Sequence, residues 1–223
     1  MKYNSYIIIF FILITLYLLY TTLLPRFYSS PVDDNMIFIY DFLSPQDFQR
    51  VRQTIANDTS PFINESFRIT KPLNHIHHSD IYDILYSSQS IQKLQDYTNP
   101  TIFASEFPIE YREYPLHSPG MRWHKDLLLY EKPQYEAVFT IENTSDSYTQ
   151  WVDPEGNLFY VWTPPNSLLV MKASGYLHNV TPINQGKRNI LKLVYTQTDD
   201  KLPVYEKEMK RFNSHKQGLP SPT

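Results

Sequence analysis

The sequence predicts a mostly β domain of the sandwich, barrel or jelly-roll kind, with α-helices on its N-terminal side and a transmembrane helix ahead of it. Three observations carry this. From Phe107 to Thr198, short apolar runs alternate with turn residues at regular spacing, the mark of many short strands around one core. The chain holds 18 Tyr and 13 Phe against 5 Gly, a composition that suits sheets better than helical bundles. Tyr6 to Leu24 is an uncharged apolar run, and about 20 such residues span a bilayer as a helix.

That run ends at Leu24-Pro25-Arg26-Phe27, which offers no small-residue cleavage site, so a retained single-pass anchor is expected over residues 1–28 rather than a cleaved signal. Residues 29–35, with Ser29-Ser30-Pro31 and Asp33-Asp34, read as a linker. Lys2 before the run, against Arg26 followed by two Asp after it, favours a cytoplasmic N-terminus and a body in the lumen of the secretory pathway, and leaves the reverse orientation open. Sequons starting at Asn57, Asn64, Asn143 and Asn179 agree with a lumenal body.

The body is expected over residues 36–200, followed by a C-terminal extension over 201–223. Met36 to Tyr40 suits a strand. Ser44-Pro45-Gln46-Asp47 starts a helix, with Ser as cap and Pro in the first turn, and Phe48, Val51 and Ile55 form its apolar stripe. Ser88 to Tyr97 reads as a second helix, with Ile91 and Leu94 on one face. Strands are then expected at Phe107–Tyr114, Met121–Tyr130, Glu136–Glu142, Leu158–Thr163, Ser167–Ala173, Leu177–Pro182 and Asn189–Thr196. Residues 57–105 and 143–157 are left as candidate substrate loops.

Composition excludes several chemistries. Cysteine is absent, so thiolate metal sites, disulfides and cysteine nucleophiles are ruled out, and any metal must be held by His, Asp or Glu. The net charge of −3 lacks the basic footprint that nucleic-acid enzymes use against phosphates.

Within the β-rich stretch lies Trp123-His124-Lys125-Asp126. On a strand, residues two apart point to one face, so His124 and Asp126 can reach a common metal. His178, on a later strand, can complete a facial set of two His and one carboxylate. This is the arrangement of non-haem iron(II) sites, and it leaves positions for a 2-oxo acid and dioxygen. Arg188 lies ten residues further on. Its planar fork suits the far carboxylate of a dicarboxylic co-substrate, although Lys187 beside it is an alternative anchor.

This set of His-x-Asp, a later His and then Arg resembles the 2-oxoglutarate/iron(II)-dependent dioxygenase superfamily, in particular its prolyl 4-hydroxylase-like branch. The segment His178-Asn179-Val180-Thr181-Pro182 through Gly186-Lys187-Arg188 resembles that branch's second-histidine segment, and Ile37 to Ser44 resembles its N-terminal strand and capped helix. The resemblance implies a double-stranded β-helix (jelly-roll) core, with iron(II) on His124, Asp126 and His178 as catalytic residues. It implies 2-oxoglutarate bound by Arg188 with help from Tyr114, and ascorbate as reductant. It also implies hydroxylation of a C–H bond coupled to decarboxylation of 2-oxoglutarate to succinate, with a peptide or protein side chain, proline among them, as substrate. Alternation from Phe107 through Ile109 would instead turn Tyr111 inward. A non-catalytic jelly-roll binding module is the rival reading, as is an oxygenase acting on a small molecule, lipid or nucleobase.

Other features take plainer readings. Asn74 to Asp80, with His75, His77 and His78, is expected to be a polar surface loop. Trp123 and Trp151 are expected in the core. Lys201, Lys207, Lys210, Arg211 and Lys216 suit a solvated helix face, with contact to anionic lipid as the alternative. The anchor is directly testable: the full chain should stay with membranes through alkaline extraction, and a chain starting at residue 29 should be released. Release of the full chain by alkali would refute the span.

Overall fold

The structure, a computed structural model, describes Ile14 and residues 33–64, 68–73, 77–98 and 100–216. Apart from Ile14, the predicted span at residues 6–24 lies outside these, as do most of the linker and the chain after residue 216. Among the described residues no helix is long and apolar enough to cross a membrane.

Among the described residues the elements in chain order are β1 (Met36–Ile39), α1 (Pro45–Asn57), β2 (Ile63–Asn64), β3 (Ile69–Pro72), α2 (Ser79–Leu85), α3 (Ser88–Gln95), β4 (Phe103–Ala104), β5 (Glu110–Tyr114), β6 (Met121–His124), β7 (Tyr135–Asn143), β8 (Thr149–Val152), β9 (Leu158–Val161), β10 (Leu168–Lys172), β11 (Leu177–Val180), β12 (Arg188–Thr196) and α4 (Pro203–Lys216). They form two sheets. The larger runs β1-β10-β7-β12-β5-β3-β2, with β4 also on β12, and the smaller runs β6-β11-β8-β9. Every named pairing is antiparallel. From β5 to β8, and again from β9 to β12, chain neighbours alternate between the sheets, as in a jelly roll.

Period-two alternation gives the large sheet two different faces. One face carries Ile37, Ala137, Phe139, Leu168, Val170, Leu191 and Leu193. It packs on Val51 and Ile55 of α1, Ile81 and Leu85 of α2, and Leu94 of α3, which is why α1 and α3 are amphipathic. The Ser44 hydroxyl accepts from Asp47 N at 3.1 Å and caps α1 as expected, an interaction worth about 1 kcal/mol. The opposite face of the large sheet looks across at the small sheet, and on β5 and β12 it carries Tyr114, Arg112, Arg188 and Lys192 rather than an all-apolar set.

Several expectations are corrected. β6 stops at His124 instead of running to Tyr130, because the chain turns to place Leu129 and Tyr130 in a second cluster with Phe107, Val194 and Tyr205 of α4. The segment 143–157 is not a loop throughout: Thr149–Val152 is β8, an interior strand of the small sheet. Trp151 is buried and stacks on Phe159 with centroids 5.6 Å apart, whereas Trp123 is 43% exposed rather than core. His78 is not a surface residue: it is buried, with Nε2 3.2 Å from Asp58 Oδ2, while Lys71 Nζ lies 2.7 Å from the same oxygen. Asn143 is buried and donates to Thr163 O at 3.0 Å, so it is no glycan acceptor in the folded chain. Lys207 and Lys210 are exposed on α4, and the helix packs through Val204, Tyr205 and Met209.

Gly120 leads into β6 with φ +72°, and a Cβ there would fall 2.1 Å from Val180 O of β11. Gly120→Ala therefore meets both a disfavoured backbone and a backbone clash. It should destabilise the domain by about 1–3 kcal/mol or more in chemical denaturation.

Candidate active site

β6 and β11 pair so that His124 stands directly opposite His178, with a register shift just after, between His178 and Val180. The two rings lie 4.3 Å apart and are tilted by 54°. His124 Nδ1 is 2.7 Å from Arg122 O and His178 Nδ1 is 3.1 Å from Tyr176 O. A carbonyl oxygen can only accept, so both Nδ1 atoms donate and both Nε2 atoms keep a free lone pair. Such second contacts fix the ring orientation that metal ligation requires. Burial holds the His178 pKa below the ordinary histidine value, against the pull of Asp126, which favours the neutral, ligating form.

Asp126 lies past the end of β6, so its position comes from the loop and not from strand alternation. Its backbone carbonyl accepts from Ser174 N at 3.1 Å. The buried Gln134 side chain braces the residues just beyond it: its Oε1 accepts from Leu129 N at 3.1 Å and its Nε2 donates to Leu127 O at 2.7 Å. The Asp126 carboxylate is thereby set against both imidazoles, Oδ1 3.7 Å from His124 Nε2 and Oδ2 3.5 Å from His178 Nε2. Asp126 Oδ2 is buried without a hydrogen-bond partner among the described residues, which is costly unless something else satisfies it. The three ligand atoms lie within 4.8 Å of one another, and a divalent ion among them would satisfy that oxygen. Two nitrogens and one carboxylate suit iron(II) with positions left open.

The triad lines a cavity of about 220 Å³, and Arg188 and Tyr114 line it too. Arg188 opens β12 directly opposite Tyr114. It is buried, donates to Thr149 Oγ1 at 3.4 Å and leaves Nε without a hydrogen-bond partner. Among the described residues no carboxylate pairs with it. Burial lowers its pKa, but a guanidinium stays charged, so the cavity holds a cation ready for an anion. Lys187 instead points outward to Glu142 at 3.0 Å, and Tyr111 faces the helix layer. Arg188 and Tyr114 thus line the cavity, and Lys187 and Tyr111 do not.

The cavity also contains groups that motif reading passed over: Arg68, Arg112, Thr149 and the ion pair of Lys192 with Glu136 at 2.5 Å. Arg112 and Glu110 share a face with Tyr114 at steps of two, and Lys192 shares one with Arg188, so alternation from the motif could have found them. Arg68 has no such signal, since it arrives from a separate strand. Arg112 is matched by Glu110 through bonds of 3.0 and 3.1 Å.

No known family model matches the sequence, and no curated protein is detectably similar to it. Solved structures are similar in shape. An oxidoreductase of the 2OG-Fe(II) oxygenase family from Burkholderia pseudomallei superposes with a TM-score of 0.65 at 12% identity, over 75% of this chain and 86% of that one. The chain therefore has the fold of the 2-oxoglutarate/iron(II) oxygenases. Within that fold the likeness extends to a prolyl hydroxylase from Trichoplax adhaerens, solved with a hypoxia inducible factor peptide fragment (TM-score 0.59, 14% identity, 74% of this chain and 84% of that one). It extends equally to HygX from Streptomyces hygroscopicus, solved with nickel and 2-oxoglutarate (TM-score 0.59, 9% identity, 74% and 84%).

Loss of one ligand should be severe. His178→Ala should weaken manganese(II) binding by more than about 100-fold, beyond what outer-sphere changes cost, while Lys187→Ala leaves it unchanged. Calorimetric titration of the metal measures both.

Proposed function

We propose that this chain is a membrane-anchored, iron(II)- and 2-oxoglutarate-dependent dioxygenase that hydroxylates a peptide or protein side chain, with proline one candidate. The observation that carries the reading is a single cavity with two oriented histidines and an orphaned carboxylate on one side, and a buried, carboxylate-free Arg188 on the other. A site for metal alone has no use for that arginine.

In this reading His124, Asp126 and His178 hold iron(II), which with dioxygen and 2-oxoglutarate supplies the oxidising power. Of the two atoms of dioxygen, one would enter succinate as the co-substrate loses carbon dioxide, and the other would enter a C–H bond of the substrate. Arg188 holds the far carboxylate, with Tyr114 offering its hydroxyl beside it. Met121, Val138 and Ile190 give the cavity apolar wall, which strengthens each charged contact by excluding water. Lys125 and Leu127 are exposed and also line the cavity, so they mark its mouth, where a substrate side chain would enter. Ascorbate fits as the reductant that restores iron(II). Support for a peptide substrate comes from the Trichoplax neighbour, which was solved with one; a lumenal location rests on the charges flanking residues 6–24.

The full chain, given iron(II) and 2-oxoglutarate, should form succinate and add one oxygen atom to its substrate, detected by mass. Arg188→Ala should raise the 2-oxoglutarate KM by about 100-fold, the loss of a bidentate charged contact, with iron still bound. Absence of succinate under all reducing conditions would sink the enzyme reading. Oxidation of a small molecule but of no peptide would redirect the substrate.

A further inference from the structure

We propose that the free edge of β6 docks the substrate, taking an extended acidic peptide whose carboxylate pairs with Arg122 outside the cavity while the next residue turns inward toward His124, Asp126 and His178. This rests on the peptide reading above and names the class of peptide.

The placement comes from a bulge. β6 is the outermost strand of the small sheet, with β11 on one side and no strand on the other among the described residues. His124 pairs with His178 and Met121 with Val180, so Arg122 and Trp123 together stand opposite Asn179 alone. Residues three apart on a regular strand face opposite ways, yet Met121 and His124 both line the cavity. The extra residue of the bulge accounts for this. It turns Met121 and His124 to one face and leaves Arg122 and Trp123 exposed, off the cavity wall. An edge strand offers unpaired backbone groups, and a peptide that joins it gains affinity from main-chain bonds and specificity from alternate side chains. A peptide strand laid on β6 sends one side chain into the cavity and the next toward Arg122.

Charge names the occupant. Arg122 and Lys125 are exposed on either side of His124, and neither has a carboxylate partner among the described residues. In a chain of net charge −3, two unmatched cations beside the cavity mouth are a local feature. The cavity wall is different. Asp126, Glu136 and Glu208 bring carboxylates to it, and its cations are engaged: Arg112 with Glu110, Lys192 with Glu136, Arg68 with the Tyr114 hydroxyl, and Arg188 with the co-substrate in the reading above. A peptide carboxylate therefore belongs on the outward face, and an uncharged side chain in the cavity against Met121, Val138 and Ile190. A bulge and a cation on an edge also keep apolar strands from pairing with it, and rejecting those is part of selecting an acidic one. A purely defensive edge has no use for Trp123, which is 43% exposed; a peptide lying across the bulge covers that ring.

The test is a binding comparison that needs no turnover. The full chain in detergent, loaded with manganese(II) and 2-oxoglutarate, is titrated by fluorescence anisotropy with short dye-labelled peptides centred on Pro, which keeps the residue before it extended. The first peptide has Asp on both sides of the Pro. The second has Asn there, and the third has both Asp moved one position further out, where strand alternation faces them inward. The first should bind about fivefold tighter than the others, the upper end for an ion pair near the surface. Arg122→Gln should remove that preference. Arg122→Glu should reverse it, favouring the same peptide with Lys beside the Pro, and it carries the test should the glutamine variant fail to fold. If either control peptide binds as tightly as the first, or the preference persists in a folded Arg122 variant, this inference is overturned and the peptide reading stands. If none of the peptides binds, the peptide reading fails and this inference fails with it.

Discussion

The cross-strand pairing of His124 with His178 is the constraint on which the site depends. Two imidazoles brought side by side in the small sheet fix the distance and direction of two nitrogens at once, and only a narrow region remains where a third group can serve. Asp126 fills that region from a loop, so its placement is delegated to neighbours: Ser174 on its carbonyl and Gln134 on the segment after it. Gly120 belongs to the same arrangement, because β6 can lie close to β11 only where no Cβ intervenes. A slip of one residue in this pairing would turn one of the two histidines to the outer face and part it from the other.

The large sheet solves a different problem. One of its faces is apolar and is covered by three helices, which supplies the burial that holds the domain together. Its other face can then carry charge, and it does so mainly in matched pairs, Glu110 with Arg112 and Glu136 with Lys192. Buried pairs of this kind add little net stability, but they leave a cavity whose residual field is concentrated around Arg188 and Tyr114. Stability and chemistry are thus assigned to opposite faces of one sheet.

The legible parts of the sequence were those with a local period or a local motif. Helix α1 could be read from Ser44, Pro45 and its apolar stripe, and the strands from their alternation, because short-range physics decides them. His124, Asp126, His178 and Arg188 could be read because the chemistry constrains residue types at fixed spacing. What escaped depends on long-range pairing. β8 sits in a polar stretch whose only strong cue is Trp151, and its strand character comes from being flanked by β9 and β11. Arg68 is brought to the cavity only when β3 joins β5. His78 looked like part of a hydrophilic loop, but the Asp58 carboxylate, twenty residues earlier and shared with Lys71, holds it inside. Asp126 joins the two histidines, but not through the strand alternation that predicted it, since β6 ends two residues earlier.

The way the chain enters β1 has a mechanical consequence. Lys172 Nζ grips Asp34 at 2.8 Å, the Tyr176 hydroxyl bonds the Asp33 carboxylate, and Lys172 N donates to Asn35 O at 3.0 Å. These three contacts clamp the incoming strand to both ends of the β10–β11 turn. β1 is an edge strand, and a pull on its leading end would otherwise unzip it from β10 one pair at a time, starting at Met36 and Met171. With the clamps in place, tension along the incoming chain is borne by side chains before it reaches the sheet. The same turn leads into His178, so a load on the incoming chain is stopped one short segment away from the His124–Asp126–His178 cluster.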